Sequence, residues 1–496
     1  MPDLRSAEAA RAPVARAVAV SSTAQLVARG FDLVVNVAVS LAILRHLGPS
    51  RYGDFVVVVS VVGLTGLVSD FGLPKLAVRE VARDPAAANE VVGTVIVMRL
   101  GLCVVAAVVA QLALFALQAD PTVRVATLVA GAQFVGEALL SVVVVFHVAL
   151  KQQYEALVRL IANVVKLVVV AVLVAANAGV VLLVAATTSQ VLLAAALAWI
   201  VARRRFGLRP AWRMPRAIPL FRASVPVGPA MLIGVLYLKL DALMVAALGT
   251  RGDVGVYGAA YQPIEYLFLA SAIVVQVMFP LLARAHDRDP AMFTRMYRRG
   301  TDLVLTAVLP VAVVLVISAR PLVRAAYREE YRGSAVPMML LAVALVFMAL
   351  NVWQGLVLLA ADRQGANFLY LSAAVVLNVM LDIVFVPRLG PAGAAWGTLI
   401  SAVFLVVCST LAVARLAGSA PAPVGIMRVV AANALLASAI GGTRLLGVQW
   451  APAAVIGGLL YLPALAWCGV VGRAELRAVL RRDAPIEQEL VAGGVS

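Results

Sequence analysis

Fourteen apolar stretches, each long enough to cross a lipid bilayer as a helix, constrain the fold of this chain more than any other feature. A helix needs roughly 20 mostly apolar residues to span the hydrocarbon core. Of the 496 residues, 63% are hydrophobic and only 13% are charged. The sequence therefore predicts an all-α, polytopic membrane protein with about 14 transmembrane helices. The stretches are 18–44, 54–76, 92–117, 124–147, 157–177, 180–202, 224–248, 258–283, 302–319, 335–361, 367–386, 392–414, 427–446 and 451–472.

Basic residues between these stretches predict the orientation of the chain. Cytoplasmic loops of membrane proteins carry an excess of Lys and Arg. Twenty-seven Lys and Arg lie at the two ends and in or beside the even-numbered loops, against ten in or beside the odd-numbered loops. We therefore expect a multi-pass protein of the cytoplasmic membrane with both termini on the cytoplasmic side. The net charge of +16 is then a consequence of topology, and no nucleic acid partner is expected.

The longest and most basic loop, 203–223, separates two groups of six stretches. The segment LGPSRYG (47–53) follows the first stretch and LGTRGDVG (248–255) follows the seventh, which indicates a weak internal repeat with both halves in one orientation. Parallel repeats of this kind occur in some transporter folds. The predicted parts are a cytoplasmic segment at 1–17, an N-lobe at 18–202, a basic cytoplasmic connector at 203–223, a C-lobe at 224–414, two further helices within 427–472 and a cytoplasmic tail at 473–496.

Motifs for catalysis or cofactor binding are missing from the sequence. None of the four lysines follows a glycine, so the phosphate-binding loop of ATP-driven pumps is absent. All three cysteines lie inside apolar stretches and form no CxxC pair, which favours neither a metal site nor a disulfide framework. We expect a protein that is not an enzyme, with no cofactor and no metal.

Ionisable side chains inside the apolar stretches are the first candidates for a functional site. A charge at the bilayer centre costs about 2.5–3.5 kcal/mol on insertion scales, so such residues are functional or paired. Arg and Lys bind phosphate oxygens through charge-assisted hydrogen bonds. The sequence thus predicts a polar, cationic central cavity for an anionic substrate. The basic candidates are Arg29, Arg99, Lys166 and Lys239, and the acidic ones that we consider for ion coupling are Asp32, Asp241 and Glu265.

Some of these charges also allow a structural explanation. Arg29 and Asp32 are spaced to pair on one helix face. Arg99 lies about one turn into its stretch, where a long side chain can snorkel to the membrane surface. Lys166 lies too deep for that, and Lys239 cannot be neutralised by a residue two positions away, which points to another face. We expect these two lysines to face the cavity.

Four regions, in order along the chain, carry a family resemblance. Together they resemble the polysaccharide transporter family (Wzx-like flippases) of the multidrug/oligosaccharidyl-lipid/polysaccharide exporter superfamily. The regions are LGPSRYGDF (47–55) with SDFGLPKLAVREVAR (69–83), MFPLLAR (278–284), RPLVRAAYREEYRGSAVP (320–337) and NVMLDIVFVPRLGPAGAAWGTLIS (378–401).

The resemblance implies two six-helix lobes around a cationic lumen, plus two C-terminal helices. It also implies transfer of an undecaprenyl-pyrophosphate-linked oligosaccharide from the inner to the outer leaflet by alternating access. The basic lumen residues of such flippases map best onto Arg29 and Lys239, with Lys166 and Arg99 as further candidates. In the MurJ-like branch an arginine is typical where Lys239 stands, which favours another branch. The implied partners are the lipid-linked anionic oligosaccharide, membrane lipids, and glycan polymerases or glycosyltransferases of the same pathway.

Two other functions stay open from the sequence. An ion-coupled small-molecule (multidrug) antiporter of the same superfamily would use acidic lumen residues, for which Asp32, Asp241 and Glu265 are the candidates. A membrane enzyme of glycan assembly would need a catalytic cluster at the outer surface. The one candidate for it is Arg320 to Arg332, with its two glutamates, which we interpret as a solvated charged loop.

Overall fold

The chain is built of helices joined by short turns. The computed structural model describes residues 4–225, 227–276, 279–417, 423–445 and 449–468, and the side chains of 4–29 lie outside that description. No strand occurs in these ranges. The helices are α1 (Leu4–Asp70), α2 (Leu73–Arg83), α3 (Ala88–Ala116), α4 (Pro121–Leu139), α5 (Val144–Val148), α6 (Gln153–Ala175), α7 (Val180–Phe206), α8 (Met214–Ser224), α9 (Val227–Leu248), α10 (Arg251–Gln276), α11 (Phe279–Arg288), α12 (Pro290–Ala326), α13 (Ala335–Ala360), α14 (Gln364–Leu389), α15 (Pro391–Ala417), α16 (Pro423–Leu445) and α17 (Trp450–Trp467).

Eleven helical segments in the described ranges are long and apolar enough to cross a membrane. One of them, Gly30–Arg83, includes the predicted span 54–76 and part of the predicted span 18–44. Between the two, at Gly48, the backbone leaves helical geometry with φ 71° and ψ 169°. Helices α10 and α17 lie on the predicted spans at 258–283 and 451–472. The expected all-α, multi-pass fold is confirmed, and the number of spans agrees approximately with the fourteen predicted.

The chain folds into two compact units. The first unit comprises the described residues up to Ala259 together with Ala326–Ser334 and Val375–Ala394. Its apolar core joins α2, α3, α5, α6 and α7, with Phe146 fully buried at its centre. This core fixes the helices whose polar faces line the cavity described below.

The second unit contains the remaining described residues. Its largest buried side chain is Trp353 of α13, whose indole Nε1 donates to Thr301 Oγ1 (3.2 Å) on α12. A Cβ atom at Gly300 would overlap the Trp353 ring, so α12 and α13 approach each other only because this position is glycine. Asn433 and Tyr461 join α16 to α17 through a hydrogen bond of 3.2 Å.

A sharp turn after α1 brings the start of α2 to the site. Phe71 and Gly72 both adopt left-handed backbone conformations, with φ 43° and φ 75°. Pro74 lies in the first turn of α2, where its missing N–H costs no hydrogen bond. The turn therefore places Pro74 and Lys75 beside the end of α1.

Candidate functional site

The first unit contains an open polar cavity of about 550 Å³ between α1, α2, α3, α4, α5, α6 and α7. This volume falls within the usual range of small-molecule sites, roughly 300–1,000 Å³. Three of the residues predicted from the sequence line it, namely Asp32, Arg99 and Lys166. The structure thus brings together predicted candidates from three helices that are far apart in sequence.

Arg99 is held at the wall of this cavity by protein groups. Its side chain is buried, with 3% of the residue exposed. The guanidinium forms an ion pair with Asp70 (3.1 Å) and donates to Ser141 Oγ (2.9 Å). It also donates to the carbonyl oxygens of Ser69 (3.2 Å) and Glu137. Arg99 is therefore bound by protein groups, and it joins the end of α1 to α3 and α4.

A second network links α1 to α6 across the cavity. Asn163 Nδ2 donates to Asp32 Oδ1 (2.6 Å), and Lys166 Nζ donates to Asn36 Oδ1 (2.7 Å). The amide of Asn36 also donates to the carbonyl oxygen of Asp32 (2.7 Å). Lys166 is buried and carries three N–H donors, of which this bond uses one. The network therefore presents a charged ammonium, a carboxylate and two amides to the cavity.

The third charged group of the cavity belongs to α5 and α6. Glu155 accepts from Arg159 Nε (2.9 Å) with one oxygen, and His147 Nε2 lies 2.6 Å from the other. Lys75 of α2 also lines the cavity and is exposed. Arg159 and Lys75 are thus the more accessible of the cavity's basic residues.

The cavity as a whole is balanced in charge. Its lining contains four basic residues (Lys75, Arg99, Arg159 and Lys166) and four acidic ones (Asp32, Asp70, Glu137 and Glu155). The described lining of this cavity therefore carries no excess of positive charge, and the cationic cavity predicted between the two halves stays a prediction. Mixed carboxylate, amide and cationic groups suit a ligand with many hydroxyls and a few negative charges, because each hydroxyl both donates and accepts hydrogen bonds.

The other predicted residues lie elsewhere. Arg29 falls outside the residues whose side chains are described, so its pairing with Asp32 stays a prediction. Lys239 of α9 is half-buried against α1, where its Cε would lie 4.0 Å from a Cβ at Gly63. Glu265 is half-buried on α10 in the second unit. Neither Lys239 nor Glu265 lines the cavity.

Asp241 belongs to a separate buried group in the first unit. It is 2% exposed and accepts a hydrogen bond from the Tyr257 hydroxyl (2.8 Å). The carboxyl of Asp382, which is fully buried, neighbours it. Sequence reasoning missed Tyr257 as a partner because nothing local relates α9 to α10. By contrast Asn163 could have been found, since it lies three residues before Lys166 on the same helical face.

The two glycine motifs of the sequence repeat pack against each other. A Cβ at Gly53 would overlap the carbonyl oxygen of Arg251, and a Cβ at Gly255 would overlap that of Pro49. The first turns after Gly48 and Gly249 therefore cross at backbone contact distance. Arg251 also forms ion pairs with Asp54 (3.9 Å) and Asp120, which tie this crossing to the start of α4.

The segment at residues 320–332 was expected to be a solvated charged loop, and this is only half correct, since α12 continues to Ala326. Its charged side chains are exposed, but Tyr327 and Tyr331 are buried. Their hydroxyls donate to the carbonyl oxygens of Ala259 (3.1 Å) and Leu44 (2.9 Å). The buried tyrosines attach this segment to α10 and α1. Sequence reasoning missed this structural role because the charged residues dominate the segment.

Known structures with the same arrangement of helices are transporters. The chain is similar to the structure described as "Lipid II flippase MurJ, inward closed conformation", with a TM-score of 0.73 and 12% identity over 94% of this chain and 99% of that chain. It is also similar to an inward-facing multidrug resistance MATE family transporter of the MOP superfamily (TM-score 0.62, 14% identity, 78% and 95% covered). A third is a MOP superfamily transporter from Pyrococcus furiosus (TM-score 0.55, 14% identity, 81% and 96% covered).

These likenesses show that the chain has the same helical, multi-pass fold as these proteins. No curated protein matches the chain in sequence. Residues 42–337 match the family described as polysaccharide biosynthesis protein. The chain belongs to this family, which confirms the resemblance drawn from its motifs.

Proposed function

We propose that this protein is a flippase that moves an undecaprenyl-pyrophosphate-linked oligosaccharide from the inner to the outer leaflet of the cytoplasmic membrane, for cell-surface polysaccharide biosynthesis. The observation that carries the proposal is that a member of the polysaccharide biosynthesis family has a polar cavity of about 550 Å³ among its membrane-spanning helices. One of the structures similar to this chain is described as a lipid II flippase.

The residues of the cavity support a sugar-phosphate ligand. Lys166 has two N–H donors beyond the bond to Asn36, and Lys75 is exposed at the wall. Together with Arg29 and Lys239, they are the proposed partners of the pyrophosphate. The oxygens and amides of Asp32, Asn36 and Asn163 are suited to sugar hydroxyls. Arg99 is a weaker candidate for direct contact because its donors already meet protein acceptors.

The electrical potential of the membrane supports the direction of transport. With a negative interior, each negative charge that moves outward gains about 2.3 kcal/mol per 100 mV. Export of a pyrophosphate head group is therefore electrically favourable. We propose that the lobes 18–202 and 224–414 alternate access to the two sides, with both termini cytoplasmic, and that glycosyltransferases and a glycan polymerase of the same pathway act before and after the flippase.

A second candidate function is an ion-coupled small-molecule antiporter. The observation that favours it is the buried pair Asp241 and Asp382, with Tyr257 bound to the first. Two neighbouring buried carboxyls repel when both are ionised, so they are suited to hold an exchangeable proton or cation. Asp32 and Glu265 are the other proposed ion-coupling groups. Ion coupling at these residues is compatible with either cargo.

The test is leaflet-resolved transport of a fluorescent undecaprenyl-pyrophosphate oligosaccharide in proteoliposomes, with and without an imposed potential. We expect transport by the wild type and at least a tenfold lower rate for Lys166→Ala, Lys239→Ala and Arg29→Ala. Lys151→Ala is the matched control, because Lys151 is exposed and lies outside the cavity. It should transport like the wild type.

The same proteoliposomes distinguish the two cargoes. An antiporter would accumulate a fluorescent drug cation against a gradient and leave the lipid-linked sugar in its original leaflet. Asp241→Asn should abolish the dependence of transport on an ion gradient in either case, whereas Asp362→Asn, at an exposed turn, should not. Drug transport without lipid transport, by folded protein, would overturn the flippase proposal.

A further inference from the structure

The connector between α7 and α9 is a fixed structure on the protein surface. Glu90, in the first turn of α3, accepts from Arg213 Nε (3.1 Å) and Arg216 Nε (2.9 Å). The backbone N–H of Ala211 donates to the carbonyl of Asn89 (2.8 Å). A Cβ at Gly93 would overlap the backbone of Ala211, so the two segments touch directly. The connector is therefore held in one conformation before any partner arrives, which lowers the entropic cost of binding.

Helix α8 of this connector has two apolar faces. Ala217, Leu220 and Ser224 are buried against the protein. A second row, Met214, Ile218, Phe221 and Val225, follows the spacing of one helical face and is exposed by between 43% and 59% of each residue. Trp212 precedes the row and is 43% exposed. This exposed row therefore has apolar surface available for a partner.

The flanking charges are all of one sign. Residues 203–225 contain seven arginines and no Asp or Glu. Arg213 and Arg216 are paired with Glu90, and the other five, Arg203, Arg204, Arg205, Arg209 and Arg222, are exposed with no carboxylate within 4 Å among the described residues. Exposed guanidinium groups so close to the apolar row exclude a position inside the hydrocarbon. The helix is suited to the boundary between head groups and acyl chains.

We propose that α8 and these arginines, residues 203–225, form a docking surface for anionic phospholipids of the membrane leaflet on the connector's side. The apolar row enters the acyl boundary, and the arginines bind lipid phosphates and carboxylates. A basic loop that served only to determine the orientation of the chain in the membrane would need neither an ordered helix nor an exposed apolar row. An acidic soluble protein would match only the charge, whereas a lipid surface matches both the charge and the exposed apolar row. The proposal is independent of the cargo that the protein transports.

The experiment is native mass spectrometry of the full-length protein, which counts retained phosphatidylglycerol and phosphatidylcholine at equal supply. The variant replaces four connector residues together: Arg203→Gln, Arg204→Gln, Arg205→Gln and Arg209→Gln. The matched control removes the same charge elsewhere: Arg320→Gln, Arg324→Gln, Arg328→Gln and Arg388→Gln, all exposed in the wild type. We expect the preference for phosphatidylglycerol to fall at least tenfold in the connector variant and less than twofold in the control.

A second variant separates the apolar contribution from the charge. Met214→Ser with Ile218→Ser should weaken retention of both lipids at least threefold and leave the preference between them unchanged. Unfolding temperature in detergent confirms that each variant is folded. An unchanged preference in the connector variant, or an equal loss in the control, would overturn the proposal. Displacement of the lipid by millimolar inorganic phosphate would also overturn it, because it would indicate a site for free phosphate.

Discussion

Arg99 illustrates, at the scale of single residues, how a charge in a membrane-spanning helix is stabilised. Its guanidinium meets one carboxylate, one hydroxyl and two carbonyl oxygens from α1, α4 and the turn that follows α4. Removal of one partner of a buried ion pair costs about 3–5 kcal/mol, because the other charge is left uncompensated. We predict that Arg99→Gln lowers the free energy of unfolding by about this amount, measured by denaturation in detergent.

The matched control for this prediction is Arg83→Gln. Arg83 lies 3.7 Å from Glu80, and 69% of its side chain is exposed. Exposed pairs contribute about 0–1 kcal/mol, so this variant should unfold like the wild type. Equal free energies of unfolding for the two variants would contradict the ion pair and hydrogen bonds described for Arg99.

The α1–α6 network gives a second prediction at the same scale. Lys166 is buried near Asp32, and its ammonium interacts with that carboxylate as well as with Asn36. We predict that Asp32→Asn and Lys166→Gln are non-additive in a double-mutant cycle, with a coupling of about 0.5–3 kcal/mol. The free energy of unfolding is the measurement. Asp32→Asn combined with Lys151→Gln should be additive, since Lys151 lies outside the network.

At the scale of elements, the crossing between α1 and α10 depends on two glycines. Any side chain at Gly53 or Gly255 overlaps a backbone carbonyl of the other helix, so neither helix can accommodate it without moving. Oxidation of Ser50→Cys with Gly252→Cys reports on this crossing, because Ser50 Oγ lies 3.9 Å from a Cβ at Gly252, so the two side chains would be in contact. We predict that Gly53→Val lowers the yield of this disulfide at least fivefold, in a background free of the three native cysteines.

Gly101→Val and Gly131→Val are the controls for the crossing. A Cβ at either position would meet nothing within 4 Å. These variants should form the disulfide like the parent protein. A high yield in Gly53→Val would contradict the glycine-dependent contact.

The sequence predicted whole elements better than their contacts. Apolar stretches of membrane-spanning length located the helices because burial in lipid requires them, and the charged residues Asp32, Arg99 and Lys166 were found because charge is costly there. Local spacing could not show that Tyr331 bonds to Leu44, or that Tyr257 bonds to Asp241, since each contact joins distant helices. The break between the predicted spans at 18–44 and 54–76 was located correctly, since Gly48 interrupts the helical geometry of α1 there.

At the scale of the whole molecule, orientation is testable with single cysteines. The excess of arginine predicts that residue 209 faces the cytoplasm and residue 118, in the turn between α3 and α4, faces outward. We predict that a membrane-impermeant maleimide added to intact cells labels Gln118→Cys and leaves Arg209→Cys unmodified until the cells are opened. The reverse pattern would place both termini outside.

Transport gives a second test at this scale. In the alternating access that we propose, the crossing near Gly53 would open during each cycle. We predict that the Ser50→Cys and Gly252→Cys disulfide lowers lipid transport at least tenfold and that a reductant restores it. Each single-cysteine variant under the same oxidant serves as the control. Undiminished transport by the fully cross-linked protein would mean that cargo leaves by another route.

The crossing of the two motifs also has a symmetry. Gly53 meets the carbonyl of Arg251, and Gly255 meets that of Pro49. Pro49 lies four residues before Gly53, and Arg251 lies four residues before Gly255, so the two contacts use equivalent positions. A contact in which the same two positions exchange roles is isologous, the type that relates the subunits of a two-fold homodimer. A half-length chain with one motif could pair with a copy of itself in the same way. The arrangement is therefore what gene duplication and fusion of a self-associating ancestor would leave behind.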